Sequence, residues 1–253
     1  MTTTTIVEPL QPERAITMLV KTAAQVEKLR VSTGLRISAV ERGASMPDVA
    51  VPPVYIEIHD TMRQLEDRID SYLREELEHY PVYTNWLCHV RGIGPGLAAQ
   101  LLGLLRPPLP GTNASTWYKA AGLVPEKRDE GTDKETMRLP RPRAGEGKVE
   151  YYPYLRRCLY NVGESFMRQG GYYKAIYDTA RARLDALHPD DALWPKIRLH
   201  RVANWIMVKR FLSDMYSEWS KTLGFEVSKP YVIDLLRHQK YEPPPQWNGG
   251  PKI

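Results

Sequence analysis

The sequence predicts an all-α protein: a multi-helix bundle that contains a helix-hairpin-helix motif and is preceded by a coiled-coil-like helical hairpin. Three observations predict it. Apolar residues recur at helical spacing along most of the chain. Residues 54–79 carry a heptad pattern. Between two helical stretches stands the turn Gly92-Ile93-Gly94-Pro95-Gly96.

Composition narrows the function classes. The chain has 253 residues, enough for a sizeable core, and a formal net charge of +5, mildly basic and compatible with a nucleic-acid partner. Its two cysteines, Cys88 and Cys158, build neither a disulfide framework nor a zinc site, so a reducing cytoplasm is expected. The six histidines lack a ligand-pair spacing, and neither a metal nor a cofactor is expected. No apolar run reaches the length of about 18 residues that a membrane span needs. The threonine-rich start lacks a signal-peptide core.

In chain order, residues 1–11 are expected to be disordered. Pro12-Glu13 opens a helix to about Arg42, which Gly34 can split in two. Ala44 to Pro53 reads as a linker. The next helix runs from about Val54 to His79. Ile58, Met62, Leu65, Ile69, Tyr72 or Leu73, and Glu76 or Leu77 form its seam, and mixed charges cover its outer faces. That seam either packs on the N-terminal helix of the same chain or makes a homo-oligomer. Residues 12–80 form this helical segment.

Residues 81–225 form the second unit. A first helix, about Val82 to Val90, stops at Gly92; the turn reverses the chain; Pro95 opens a second helix. Leu97, Leu101, Leu104 and Leu105 line that helix, and Ala98 and Ala99 allow close packing. Glycines permit positive φ and leave no Cβ between backbone and ligand. The free N–H groups of the turn and of the helix start then form an anion site, reinforced by the helix dipole. Arg91 adds a charge at its edge. Such a site holds a DNA strand by its phosphates, without sequence preference. The competing reading is a glycine turn that only packs two helices. The candidate nucleic-acid contacts are Arg91, Gly92, Ile93, Gly94, Gly96 and Leu97 in the motif, Lys119 after it, and the basic residues Arg156, Arg157, Lys196, Arg198 and Arg201 on later helices.

A short helix, Thr116 to Ala121, is capped by Asn113 or Ser115 and ends at Gly122. Residues 126–150 hold seven basic and seven acidic residues with almost no apolar ones, which reads as a long loop or a β-hairpin tip. Helices follow at Tyr151 to Gln169, Tyr172 to Leu187 and Pro195 to about Leu223, the last apolar enough to be central. Residues 226–253 form a C-terminal extension with a short helix at Val227 to Lys240 and a tail from Pro243-Pro244-Pro245.

The order Val90-Arg91-Gly92-Ile93-Gly94-Pro95, then Trp117 to Pro125 (Trp-Tyr-Lys-Ala-Ala-Gly-Leu-Val-Pro), then a charged loop, then Tyr154-Leu155-Arg156-Arg157, resembles one known arrangement. It is similar to the C-terminal domain of the guide-RNA-directed insertion-sequence transposases, whose N-terminal domain is a RuvC-like DEDD nuclease. The likeness spans roughly residues 80–220. It implies DNA binding, with RNA as the alternative, and a mobile-element or phage origin. The family's nuclease domain has no counterpart in the first 80 residues. The serine that the family carries just after Gly-Leu-Val-Pro is missing, since no serine lies between Ser115 and Ser165. The resemblance therefore implies a catalytically incomplete relative. An active strand-transfer enzyme would need another nucleophile, such as Tyr151, Tyr152 or Tyr154, or a metal at Asp129-Glu130 or Asp190-Asp191. A helical scaffold for protein partners is the third reading.

Overall fold

A computed structural model describes residues 12–44, 50–128, 136–140, 150–189, 194–225 and 243–246. Helices make every described element except one short ribbon. They are α1 (Pro12–Glu41), α2 (Pro53–Leu77), α3 (Pro81–Asn85), α4 (Pro95–Leu104), α5 (Ser115–Ala120), α6 (Pro153–Gln169), α7 (Tyr172–Leu187) and α8 (Lys196–Thr222). A 3-10 turn, Leu87–His89, lies between α3 and α4. The ribbon pairs β1 (Glu126–Arg128) antiparallel with β2 (Thr136–Arg138), Lys127 opposite Met137. The charged stretch thus has a hairpin stem. Residues 129–135 and 141–149 of that stretch, the expected helix at Val227 to Lys240 and the first eleven residues lie outside the described residues.

Proline places the helix starts. α2, α3, α4 and α6 each open on one, where the ring's fixed φ suits the first helical position and its missing N–H costs nothing. α1 and α2 lie antiparallel: Arg30 Nε meets Glu66 Oε2 at 2.6 Å, and the His59 ring covers Gly34. Gly34 therefore does not split α1. The helix runs through it, and the missing side chain makes room for the imidazole.

The heptad of α2 divides. Ile69, Leu73 and Leu77 are buried, whereas Ile58, Leu65 and Tyr72 stay exposed. The face turned to α1 keeps Met62, Ile69 and Leu73 of the predicted seam, while His59 and Glu66 take the places expected for Ile58 and Leu65. Ile58, Leu65 and Tyr72 form a second stripe beside it.

Only the inner end of the α1–α2 pair meets the body. Gly103 of α4 lets the two helices touch: a Cβ there would stand 3.3 Å from the Ile16 carbonyl and 3.1 Å from Val20. Thr17 Oγ1 donates to the Gly103 carbonyl at 2.9 Å. One continuous buried cluster runs from Ile16 in α1 to Trp219 in α8, so no core boundary separates residues 12–80 from 81–225.

α8 is the axis of that cluster. Phe211 stands among Trp86, Phe166 and Tyr173, with ring centroids 6.1, 5.2 and 5.3 Å away. One to two turns on, Trp117 meets Tyr216 edge-on at 4.8 Å and Trp219 at 5.8 Å. These rings serve packing. α7 pairs with α8 through Tyr173, whose hydroxyl donates to Asp214 Oδ2 at 3.1 Å, and through Tyr177, 2.8 Å from His200 Nδ1.

Candidate nucleic-acid interface

The predicted first helix, Val82 to Val90, is broken. α3 ends at Asn85 because Trp86 leaves helical geometry (φ −140°, ψ −57°) to lay its indole on Phe211. The 3-10 turn follows, and Ile93 N–H donates to the Val90 carbonyl at 3.0 Å to close the chain reversal.

The glycines of the turn do different work. Gly92 has φ +94°, which a side chain resists, and a Cβ there would sit 3.0 Å from the Phe166 ring. Ser165 Oγ donates to the Gly92 carbonyl at 2.6 Å. Gly92 is therefore glycine for the sake of packing on α6. Gly94 has an ordinary extended backbone (φ −88°, ψ 171°) and does not use positive φ. Open space faces both Gly94 and Gly96: a Cβ on either would meet nothing within 4 Å.

Gly94 is the N-cap of α4, and no side chain caps the helix there. Ala98 N–H already reaches the Gly94 carbonyl at 3.0 Å, and Pro95 has no N–H. That leaves the amides of Gly96 and Leu97, which in the first turn of a helix have no intrahelical acceptor. Arg91 is exposed beside them. Ile93 is buried and anchors the turn to the core, so it offers a ligand only backbone, and the Leu97 side chain packs against the same core.

The remaining candidates divide between exposed and committed. Lys119 on α5, Arg157 on α6, and Lys196 and Arg201 on α8 are exposed, each on a different helix from the turn. Arg156 is committed inward: its Nη1 donates to the Pro140 carbonyl at 2.6 Å, and its guanidinium lies 5.0 Å from the Tyr151 ring and 5.9 Å from that of Trp205. Arg198 lies 3.9 Å over the Trp194 ring. Both guanidinium groups are engaged within the chain, Arg156 by two rings and a carbonyl and Arg198 by one ring, whereas Arg157 and Arg201 are exposed.

The cavity next to the turn has no signature in the sequence. About 230 Å³ opens between α1, α2, α4 and α6, with Gly96 at its rim and Glu27, Arg30, Glu66, Asp70 and Tyr154 in its wall. Glu66 gives one oxygen to Arg30, while its buried Oε1 has no hydrogen-bond partner among the described residues. Burial, and then the charge of Glu27, push the Tyr154 hydroxyl above its ordinary pKa. Glu66 reads as an outer-face residue in the sequence; the antiparallel pairing draws it against Arg30, while Glu27 and Asp70 stay exposed.

No family model and no curated protein matches this chain.

Of the tyrosines weighed as nucleophiles, Tyr151 is a packing group under Gly122, whose Cβ would meet the ring at 2.6 Å. Tyr154 holds its proton more tightly than a free phenol, and Tyr152 is exposed. Asp129-Glu130 and Asp190-Asp191 lie outside the described residues. Among the described residues no helix is long and apolar enough to cross a membrane.

Proposed function

We propose that this chain binds DNA by its phosphate backbone, through a helix-hairpin-helix element at Gly92–Leu97. The observation that carries the reading is the start of α4: two amides without intrahelical acceptors, no side-chain cap, open space in front of Gly94 and Gly96, and Arg91 exposed at the edge. A helix N-terminus of this kind attracts anions. Glu27, Glu66 and Asp70 line the cavity on the Gly96 side, so the phosphate approaches from the side of Gly94 and Arg91. The element offers no base-reading side chain, which makes the contact independent of sequence. The likeness to the transposase C-terminal domain fits an accessory, catalytically incomplete role, in a reducing cytoplasm where the free thiols of Cys88 and Cys158 persist.

Duplex titrations over a range of salt concentrations test this. Arg91→Ala should weaken binding alike for all sequences and lower the salt slope by about one. Gly94→Val should fill the open approach while leaving the fold intact, since its backbone is one that any residue adopts. If both folded variants bind as the parent does, the turn only packs, and the chain is a scaffold for other proteins.

The exposed stripe of α2 supports self-association as a second part of the reading. Ile58, Leu65 and Tyr72 are 41%, 43% and 51% exposed. A second copy laid along this stripe would remove its apolar side chains from water.

A further inference from the structure

The short proline run near the C-terminus returns to the body of the protein. Pro244 is buried. The Trp86 indole Nε1–H donates to the Pro245 carbonyl at 3.0 Å. Arg210 Nη2 donates to the Pro243 carbonyl at 3.3 Å, and Gln246 Nε2 donates to Glu218 Oε1 at 3.1 Å. The contacts come from two places far apart in sequence, the limb before the turn and the middle of α8.

The chemistry on both sides is that of polyproline recognition. Consecutive prolines have no N–H to offer, and their extended helix leaves every carbonyl without an internal partner. A receptor must therefore supply donors and a flat apolar wall. Trp86 supplies a donor. Its ring is stacked on Phe211 and only 3% exposed, so its N–H is cut off from water and needs an acceptor. Arg210 is set in place beforehand, with Nε 2.9 and 3.1 Å from the two oxygens of Asp214 and Nη2 3.1 Å from the Tyr172 hydroxyl. Donors fixed by the core before the ligand arrives make a receptor in which little is lost on binding.

We propose that Trp86, Arg210 and Glu218 form a polyproline receptor, which this chain fills with its own Pro243–Gln246, and that a proline-rich segment of a partner protein with the same Pro-Pro-Pro-Gln order competes for it. The inference does not depend on DNA binding. The resident segment is tethered, so it acts at an effective concentration in the millimolar range and holds off a weak competitor. Occupancy then changes when a partner presents several such segments or when the tether's hold is weakened.

The test keeps the full chain and empties the receptor in place with Pro243→Gly, Pro244→Ser and Pro245→Gly together. A fluorescein-labelled peptide of sequence Glu-Pro-Pro-Pro-Gln is titrated and its anisotropy followed. The emptied chain should bind it at least about tenfold more tightly than the parent, in which the tether competes. Adding Trp86→Phe, which keeps the ring and removes the donor, should reverse that gain, and so should Arg210→Lys. Pro244→Ala alone should fall between parent and triple variant, and it serves if the triple variant does not fold. A folded emptied chain, or Pro244→Ala chain, that binds the peptide no better than the parent overturns the proposal. So does peptide binding that Trp86→Phe leaves unchanged.

Discussion

α2 and α8 are nearly the same length, 25 and 27 residues, and they live in opposite environments. α2 has the clean heptad, yet only Ile69, Leu73 and Leu77 are buried. α8 has no such regularity, and every residue from Asp214 to Ser220 is buried. α2 touches α1 along one face and α4 at its inner end, whereas α8 is wrapped by α3, α6 and α7 and by the aromatic side chain of α5. Regular periodicity marks a helix with one covered side. A helix covered all round has no side to mark, and its polar residues find partners where they fall, as Asp214 does in Arg210 and Tyr173, or stay unpaired among the described residues, as Asn204 Oδ1 does.

The sharpest way to break the comparison is to place one charge on each stripe of α2. Leu73→Asp, on the buried stripe, should cost about 4 kcal/mol, by losing a core side chain and burying a carboxylate without a partner. Leu65→Asp, on the exposed stripe, should leave the melting temperature of a dilute monomer within a degree or two, an effect of about 0.5 kcal/mol. If the chain self-associates through that stripe, light scattering should show the larger species disappear. Equal melting of the two variants would mean that the one-position shift between the stripes is wrong.

Glycine substitution probes α8 directly. Gly163 of α6 lies against Asn204, with the position of a Cβ 2.8 Å from Nδ2 and nearer still to Oδ1. Asn204 is buried, so Gly163→Ala should cost about 3 kcal/mol by chemical denaturation. Gly96→Ala, facing open space, should change stability by less than about 1 kcal/mol, with helix propensity in its favour. If Gly163→Ala unfolds at the parent's midpoint, α6 and α8 are not packed this closely.

A third expectation concerns pH. Burial raises the carboxyl of Asp214 from its ordinary 3.8 to about 6, against the pull of Arg210 and Tyr173. The folded state then binds the proton more tightly than the unfolded state. The stability linked to this proton is full below about pH 4 and is lost as pH rises through 6, a change of about 2–3 kcal/mol. In Asp214→Asn, stability should not fall over that interval, as judged by denaturation midpoints at pH 4.5 and 7. A parent whose midpoint does not fall relative to the variant's would show that Asp214 stays ionised throughout.

Much of this was legible in the sequence. Pro95 located the start of α4, and Gly92-Ile93-Gly94 located the reversal before it, because both signals are local. What was hidden depends on partners distant in the chain. Trp86 breaks its helix for a ring at position 211. Gly34 does not break its helix, because a histidine from α2 lies over it. Gly92 and Gly94 look equivalent as letters, and only the presence of Phe166 behind one and open space before the other separates their roles. Arg156 and Arg157 are adjacent, yet the loop carbonyl of Pro140 claims the first and leaves the second exposed. The triproline reads as a tail until the indole of Trp86 is seen to need an acceptor.

The Gly92 turn is tied at its carbonyl to Ser165, floored by Phe166 and closed by the buried amide of Ile93. Exposed loops ordinarily exchange their amide hydrogens through small local openings, but this amide cannot reach solvent until α6 lifts from α4 and α8. Its exchange with deuterated water should therefore be among the slowest in the chain, keeping pace with the core helices and tracking global unfolding. A ligand held at the start of α4 rests on a surface that does not breathe separately from the interior. It meets a shape that was fixed when the chain folded, so little ordering of the turn remains to oppose binding.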